Sequence, residues 1–288
     1  MTVALQDGFL QIFDVDHGQC ALLTMPTPVG TKRVLIDCGH AVNFHGSGKP
    51  WYPGEHLQAL GVNWIDLLIA TNYDEDHMSG LPDLLERKIG IGCILGNPSV
   101  APETIVELKT EDGMGDGIKA LARTLAIRRK LQWAQVPPVI AGMDLGYCWN
   151  PWPYFDDENN LSLVAYMNIR GINFLFPGDM ECRGFENMLK TFPPFRNVVA
   201  NVNVLVASHH GRQNGICPDM FDTYGCNPNL VVISDDYKQY DTQETTAYYS
   251  RKTKGIGWFR NGGARFVLTT RSDKEICFSF RNGSCLVW

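Results

Sequence analysis

The sequence predicts one α/β domain built on two sheets, and three observations carry that prediction. Short apolar runs with strand character alternate with helical stretches in both halves of the 288-residue chain. No linker, short-period repeat or low-complexity tract separates those halves. The densest ionisable clusters follow directly on apolar runs, where α/β proteins carry their reactive groups.

The elements follow in chain order. Phe9–Val15, Ala21–Thr24 and Val34–Ile36 read as strands, the first two joined tightly through Asp16-His17-Gly18-Gln19. Gly54–Leu60 reads as a helix. Trp64–Ala70 is a buried strand that delivers Thr71–His77 at its C-terminal end, and Ser79–Arg87 is the helix after it. Residues 97–155 form an irregular insertion, with one helix at about 116–134, then Pro137-Pro138 and an aromatic loop from Cys148 to Tyr154. Leu161–Asn168 and Ile172–Phe176 pair across the turn Ile169-Arg170-Gly171. Val202–Ala207 and Leu230–Ile233 complete the set of buried strands.

Composition narrows the class. An apolar share of 44% with 11% aromatics is that of a globular protein. No apolar run reaches the roughly 18 residues that a membrane span needs. Met1–Asp7 lacks the basic start and apolar core of a signal peptide. The nine cysteines stand singly, with no C-x-x-C, which argues for reduced core thiols and a cytoplasmic location. The net charge of −6 is uneven: residues 250–288 hold eight Lys or Arg against two acids. A second basic group, Lys119, Arg123, Arg128, Arg129 and Lys130, lies in a helical stretch. Such clusters steer phosphate backbones, or simply solvate a face.

Three motifs carry chemistry. Thr71-Asn72-Tyr73-Asp74-Glu75-Asp76-His77 gathers three carboxylates and an imidazole after a buried strand. Crowded like charges need a cation to offset them, so metal ligation explains the cluster, with an acidic helix N-terminus as the alternative. Pro177-Gly178-Asp179 and Ser208-His209-His210-Gly211 follow two more apolar runs. Gly-Asp alone is an ordinary turn, whereas adjacent histidines are unusual in a chain with seven.

Taken in order, the motifs resemble the metallo-β-lactamase superfamily. The resemblance rests on Phe13-Asp14-Val15-Asp16-His17-Gly18-Gln19, then Leu35-Ile36-Asp37-Cys38-Gly39, then the 71–77 cluster. Asn160-Leu161-Ser162-Leu163-Val164, Gly178-Asp179, His209-His210-Gly211 and Val232-Ile233-Ser234 make it similar to the hydrolase domain of ComEC-type competence DNA-uptake proteins and their free-standing relatives. The resemblance implies a single αββα sandwich over residues 1–288, with a metal site at one edge of the packed sheets. It places Asp76, His77, Asp179 and His209 around one zinc or manganese ion, with His210 as the alternative to His209. It leaves Asp74, Asp179 and either Asn72 or Glu158 for a weaker, oxygen-rich second site. Asn72 departs from the family, since it stands where the first motif has histidine.

The implied activity is metal-assisted hydrolysis, with Asp76, His77 and Asp179 as the catalytic group. A phosphodiesterase acting on DNA or RNA is the leading expectation. His17 and Ser234 are then candidate substrate contacts at the site, and Arg128, Arg129, Lys130, Arg251 and Lys252 candidate phosphate contacts. A hydrolase of a small ester, lactone or nucleotide is the alternative, as is a metal-depleted binding subunit. A partner protein is also expected, and a membrane is not.

Overall fold

The computed structural model describes residues 7–110, 113–236, 241–260, 262–281 and 284–288. Seven strands form the first sheet, in the order β13-β12-β1-β2-β3-β4-β5: β1 Phe9–Ile12, β2 Cys20–Thr27, β3 Gly30–Cys38, β4 Trp64–Ile69, β5 Gly90–Leu95, β12 Ile276–Arg281 and β13 Ser284–Val287. Six form the second, in the order β11-β10-β9-β8-β7-β6: β6 Met143–Trp149, β7 Leu163–Ile169, β8 Ile172–Phe176, β9 Val204–Val206, β10 Leu230–Ile233 and β11 Val267–Thr269. The helices are α1 Pro53–Ala59, α2 Glu75–Met78, α3 Leu81–Glu86, α4 Pro102–Leu108, α5 Asp116–Lys130, α6 Cys182–Thr191, α7 Pro193–Ala200, α8 Pro218–Asp222, α9 Thr246–Arg251 and α10 Thr270–Asp273.

Side-chain alternation builds the layers. Successive residues of a strand face opposite sides, so a strand buried on both faces feeds two cores. In β3, Val34 and Ile36 point between the sheets, while Leu35 and Cys38 point to the outer layer. In β10, Leu230 and Val232 face inward and Val231 and Ile233 outward. The inner core, with Phe174, Phe176, Phe278 and Phe280, glues the sheets face to face. Leu57, Leu81, Leu84, Ile105, Ile118 and Leu121 of α1, α3, α4 and α5 cover the first sheet's outer face. Phe185, Phe195, Met220 and Tyr249 of α6–α9 cover the second's. The result is the αββα sandwich that the resemblance implies. The nine cysteines are free thiols, seven of them buried.

Several elements differ from the sequence reading. Residues 143–149, assigned to the irregular insertion, form edge strand β6, paired with β7 from Met143↔Ile169 to Trp149↔Leu163. The helix expected over Ser79–Arg87 forms as α3, started by Pro82, and a separate short helix, α2, precedes it within the 71–77 motif. The basic C-terminal region also supplies β11, β12 and β13. The β7–β8 hairpin forms as expected, with Ile169 opposite Ile172 and both Arg170 and Gly171 at positive φ. Those are the dihedrals that a two-residue hairpin demands.

β3, β4 and β5 run parallel in one sheet, and β8, β9, β10 and β11 in the other. Their C-terminal ends therefore deliver Asp37, Thr71–His77, Asp179, Ser208–His210 and Ser234 to one edge of the sandwich.

Candidate metal centre

Four side chains converge there. The donor atoms of Asp76, His77, Asp179 and His210 all lie within 4.8 Å of one another. His77 Nε2 is 3.0 Å from Asp179 Oδ1, although 102 residues separate them in the chain. His210 Nε2 is 3.0 Å from Asp76 Oδ2 and 3.6 Å from Asp179 Oδ1. Donors bonded at about 2.1 Å to one tetrahedral cation sit about 3.4 Å apart, so this spread suits a shared ion.

The hydrogen bonds behind the cluster aim it. Asp37 is fully buried, and takes the Thr71 amide at 2.7 Å, the Thr71 hydroxyl at 2.5 Å and His77 Nδ1 at 2.9 Å. His210 Nδ1 donates to the Ser234 carbonyl at 2.9 Å, because a carbonyl only accepts. Both imidazoles, when neutral, thus carry the proton on Nδ1 and turn an Nε2 lone pair toward the carboxylates. This is the orientation that metal-ligating histidines receive from outer partners. His210 Nε2 is buried and makes no well-aligned hydrogen bond. A lone pair so placed against carboxylate oxygens is the fit expected of a divalent cation's ligand.

Without a cation, protons on the two histidines balance the carboxylates. Burial pushes the carboxyls of Asp76 and Asp179 up, but the neighbouring histidines outweigh it, holding Asp76 at about 2 and Asp179 lower still. For His77 and His210 burial pushes down and the carboxylates push up, and the carboxylates win. Both carboxylates are therefore ionised near neutral pH.

Of the two adjacent histidines, the structure brings His210, the alternative, into the cluster and leaves His209 outside it. His209 and His210 both adopt left-handed backbone, φ 52° and 51°, and Gly211 follows at φ 73°. That turn breaks strand alternation after β9 and sends His210 into the cluster. His209 Nε2 stays 3.9 Å from Asp179 and accepts from Arg212 Nη1 at 3.2 Å. Consecutive non-glycine residues in this region each cost about 1–2 kcal/mol, which the buried contacts must offset.

Asp74, Asn72 and Glu158 do not join the four. Asp74 pairs with Lys109, whose ammonium also reaches Glu158 Oε1 at 2.5 Å. The Asn72 amide donates to Ser162 Oγ at 3.0 Å and accepts from the Asp74 amide at 2.7 Å, so it is spent on local structure.

A cleft of about 480 Å3 opens beside Asp76, lined by Asp16, His17, His40, Glu75, Arg212 and Gln243 among others. His17 Nε2 stands 3.7 Å from Asp76 Oδ2 and accepts from Arg212 Nη2 at 3.4 Å. Burial first, then the positive neighbours, lower its pKa to about 4, so it is neutral near pH 7. Gly18 lets this hairpin touch the site's backbone, since a Cβ there would lie 2.5 Å from the Asp76 carbonyl. Ser234 is not a cleft contact. It is buried, its hydroxyl donating to the Gly18 carbonyl at 2.7 Å, and so it fixes the hairpin.

The expected basic track also breaks up. Arg128 is buried and donates to the Ile91 and Gly92 carbonyls at 2.5 and 3.0 Å, satisfying edge strand β5. Arg129 pairs with Glu103, and Lys130 is exposed about 20 Å along α5 from the end that packs on α2. Arg251 is exposed in the opposite helical layer, and Lys252 pairs with Asp222 there. Arg265 forks onto Asp273 at 2.7 and 2.9 Å, and Arg271 meets Asp235 at 2.5 Å, so much of the C-terminal charge is neutralised internally. Sequence reading missed Asp37, Lys109 and Arg212 as site-forming residues. Asp37 lay within a motif that carries the resemblance and Arg212 beside His-His-Gly, whereas Lys109 carried no local signal.

This architecture is the metallo-β-lactamase fold. The chain is 26% identical to ComE operon protein 3 of Bacillus subtilis (strain 168), over 96% of this chain and 33% of that protein, so it spans one third of its relative's length. CmlA, a diiron β-hydroxylase from Streptomyces venezuelae, is similar at 13% identity with a TM-score of 0.50, covering 86% of this chain and 51% of that one. The Rm3 metallo-β-lactamase is similar at 14% identity with a TM-score of 0.35, over 69% of this chain and 77% of that one. No family model matches. No helix among the described residues is long and apolar enough to cross a membrane.

Proposed function

We propose that the chain is a metal-dependent hydrolase of phosphodiesters, acting on a DNA or RNA strand. The observation that carries this reading is the convergence of Asp76, His77, Asp179 and His210, with both Nε2 atoms turned inward. A divalent cation bound there, zinc or manganese, supplies Lewis acidity that makes water nucleophilic near neutral pH and offsets charge at the attacked centre. His77 and His210 orient the site, and Asp179 joins the two sheets across it. Asp76 lines the cleft, where it would orient the attacking water. Arg212 lines the same cleft and gives a phosphate its positive partner, with neutral His17 beside it. The resemblance of its ordered motifs to competence DNA-uptake proteins supports a nucleic-acid substrate.

A small phosphodiester or ester is the second reading. It is favoured by the compact cleft with acidic Asp16, Glu75, Asp76 and Asp236 on its walls, and by basic groups that lie elsewhere. The test is cleavage of a labelled single-stranded oligonucleotide with Mn²⁺ at two salt concentrations, beside a chromogenic phosphodiester. Salt-sensitive strand cleavage supports the first reading. Turnover of the small ester alone moves the assignment to the second. Inactivity toward both by protein shown to hold metal defeats hydrolysis and favours a binding subunit.

A further inference from the structure

We infer that the Lys109 ammonium permanently fills the second cation position that the sequence resemblance implies, so that the chain binds one metal ion and not two. The inference rests on the metal reading above, but its test does not depend on hydrolysis.

Apart from Asp179, which belongs to the four-residue cluster, the oxygen donors expected at a second ion are Asp74, Glu158 and the Asn72 amide, and each is already engaged. Lys109, at the C-terminal end of α4, inserts a side chain only 6% exposed between the two carboxylates. It pairs with Asp74, and meets Glu158 Oε1 at 2.5 Å. Asn72 is fully buried, donating to Ser162 Oγ and the Glu158 carbonyl at 3.0 and 3.4 Å. Ser162 Oγ in turn takes the Asp179 amide at 3.1 Å, so the lysine triad and the metal cluster share one scaffold.

Charge explains the exchange. Two half-buried carboxylates beside Asp76 repel each other and need a cation. A tethered ammonium supplies one without a binding equilibrium. Burial pushes the Lys109 amine down, yet its bonds to Asp74 and Glu158 outweigh that and raise it, so it stays charged. Asn72 completes the arrangement, because an amide serves as hydrogen-bond bridge where an imidazole would ligate. Neither residue reads as a site feature alone. Together they replace an ion by a side chain.

Metal stoichiometry tests this directly. Purified protein is dialysed against Mn²⁺ or Zn²⁺, and bound metal is measured by elemental analysis and titration calorimetry. The parent should saturate at one ion per chain. Lys109→Ala and Lys109→Met should each take up one further ion, with Mn²⁺ preferred at the vacated oxygen-rich position. Adding Asn72→His to Lys109→Ala should tighten that extra ion about tenfold or more. If a variant is unstable without metal, a larger Mn²⁺-induced rise in melting temperature than the parent's gives the same answer. Two ions in the parent, with Lys109 intact, would overturn the inference, and so would variants that gain none. A metal-free parent whose variants gain one ion would defeat the four-residue centre while upholding the role of Lys109.

Discussion

Asp37→Asn is the sharpest probe of how the centre is aimed. Its two carboxylate oxygens receive three donors, the Thr71 amide, the Thr71 hydroxyl and His77 Nδ1, and none is exposed to water. Asparagine keeps the shape but offers one acceptor oxygen and one NH2 group. If the oxygen stays on the Thr71 amide, the hydroxyl can reverse and accept, but His77 Nδ1 must also accept. Its proton then moves to Nε2, and the lone pair leaves the cluster. If the amide flips instead, the buried Thr71 N–H faces another donor, costing about 1–3 kcal/mol of stability. The first arrangement is cheaper. Outer-shell substitutions of this kind weaken metal binding by about 10–100-fold, or roughly 1.4–2.7 kcal/mol. Calorimetric titration of metal-stripped protein with Zn²⁺ measures the first effect and urea unfolding the second. Parental affinity together with an unchanged unfolding midpoint would refute the argument that Asp37 sets the His77 tautomer.

Other perturbations separate the site from its scaffold. Arg128→Met should cost about 1–3 kcal/mol in urea unfolding, because the β5 edge carbonyls lose their donor, while oligonucleotide affinity stays unchanged. Arg212→Gln should leave metal content intact and raise KM for a phosphodiester about tenfold or more, read by steady-state kinetics. Phe174→Ala should cost about 3–5 kcal/mol, since its ring meets Phe278 and Phe280 edge-on between the sheets, and the loss should appear as a lower denaturant midpoint.

What could be read from the sequence depended on whether one strand or several elements held the information. Ile172–Phe176 and Leu230–Ile233 were legible because a short apolar run bounded by turn residues has few other uses. β5 and β6 were not, because glycines interrupt them. A Cβ at Gly92 would meet Trp64 and the Asp66 carbonyl, and one at Gly146 would lie 2.0 Å from the Tyr166 ring, so these glycines make room for neighbours known only once the sheet is assembled. β12 is a short apolar run, Ile276–Phe280, set among the charges Lys274, Glu275 and Arg281. In the site, motif order brought out Asp76, His77 and Asp179. The choice between adjacent histidines turned on a left-handed backbone, which no side-chain pattern encodes. Lys109 was invisible because nothing within its own helix points to Asp74 or Glu158.

The centre also straddles the sandwich. Asp76 and His77 extend from β4 in the first sheet, and Asp179 and His210 from β8 and β9 in the second. Each half-molecule therefore carries half a chelate, and a metal ion can seat fully only after the two layers have docked. Bound late, it would act as a clasp on the finished structure, with little to grip in the folding transition state. Stabilisation of that kind slows opening far more than it speeds closing. Stopped-flow measurements should then find that a chelator accelerates unfolding and leaves refolding nearly untouched, so the ion would govern how long each folded molecule lasts.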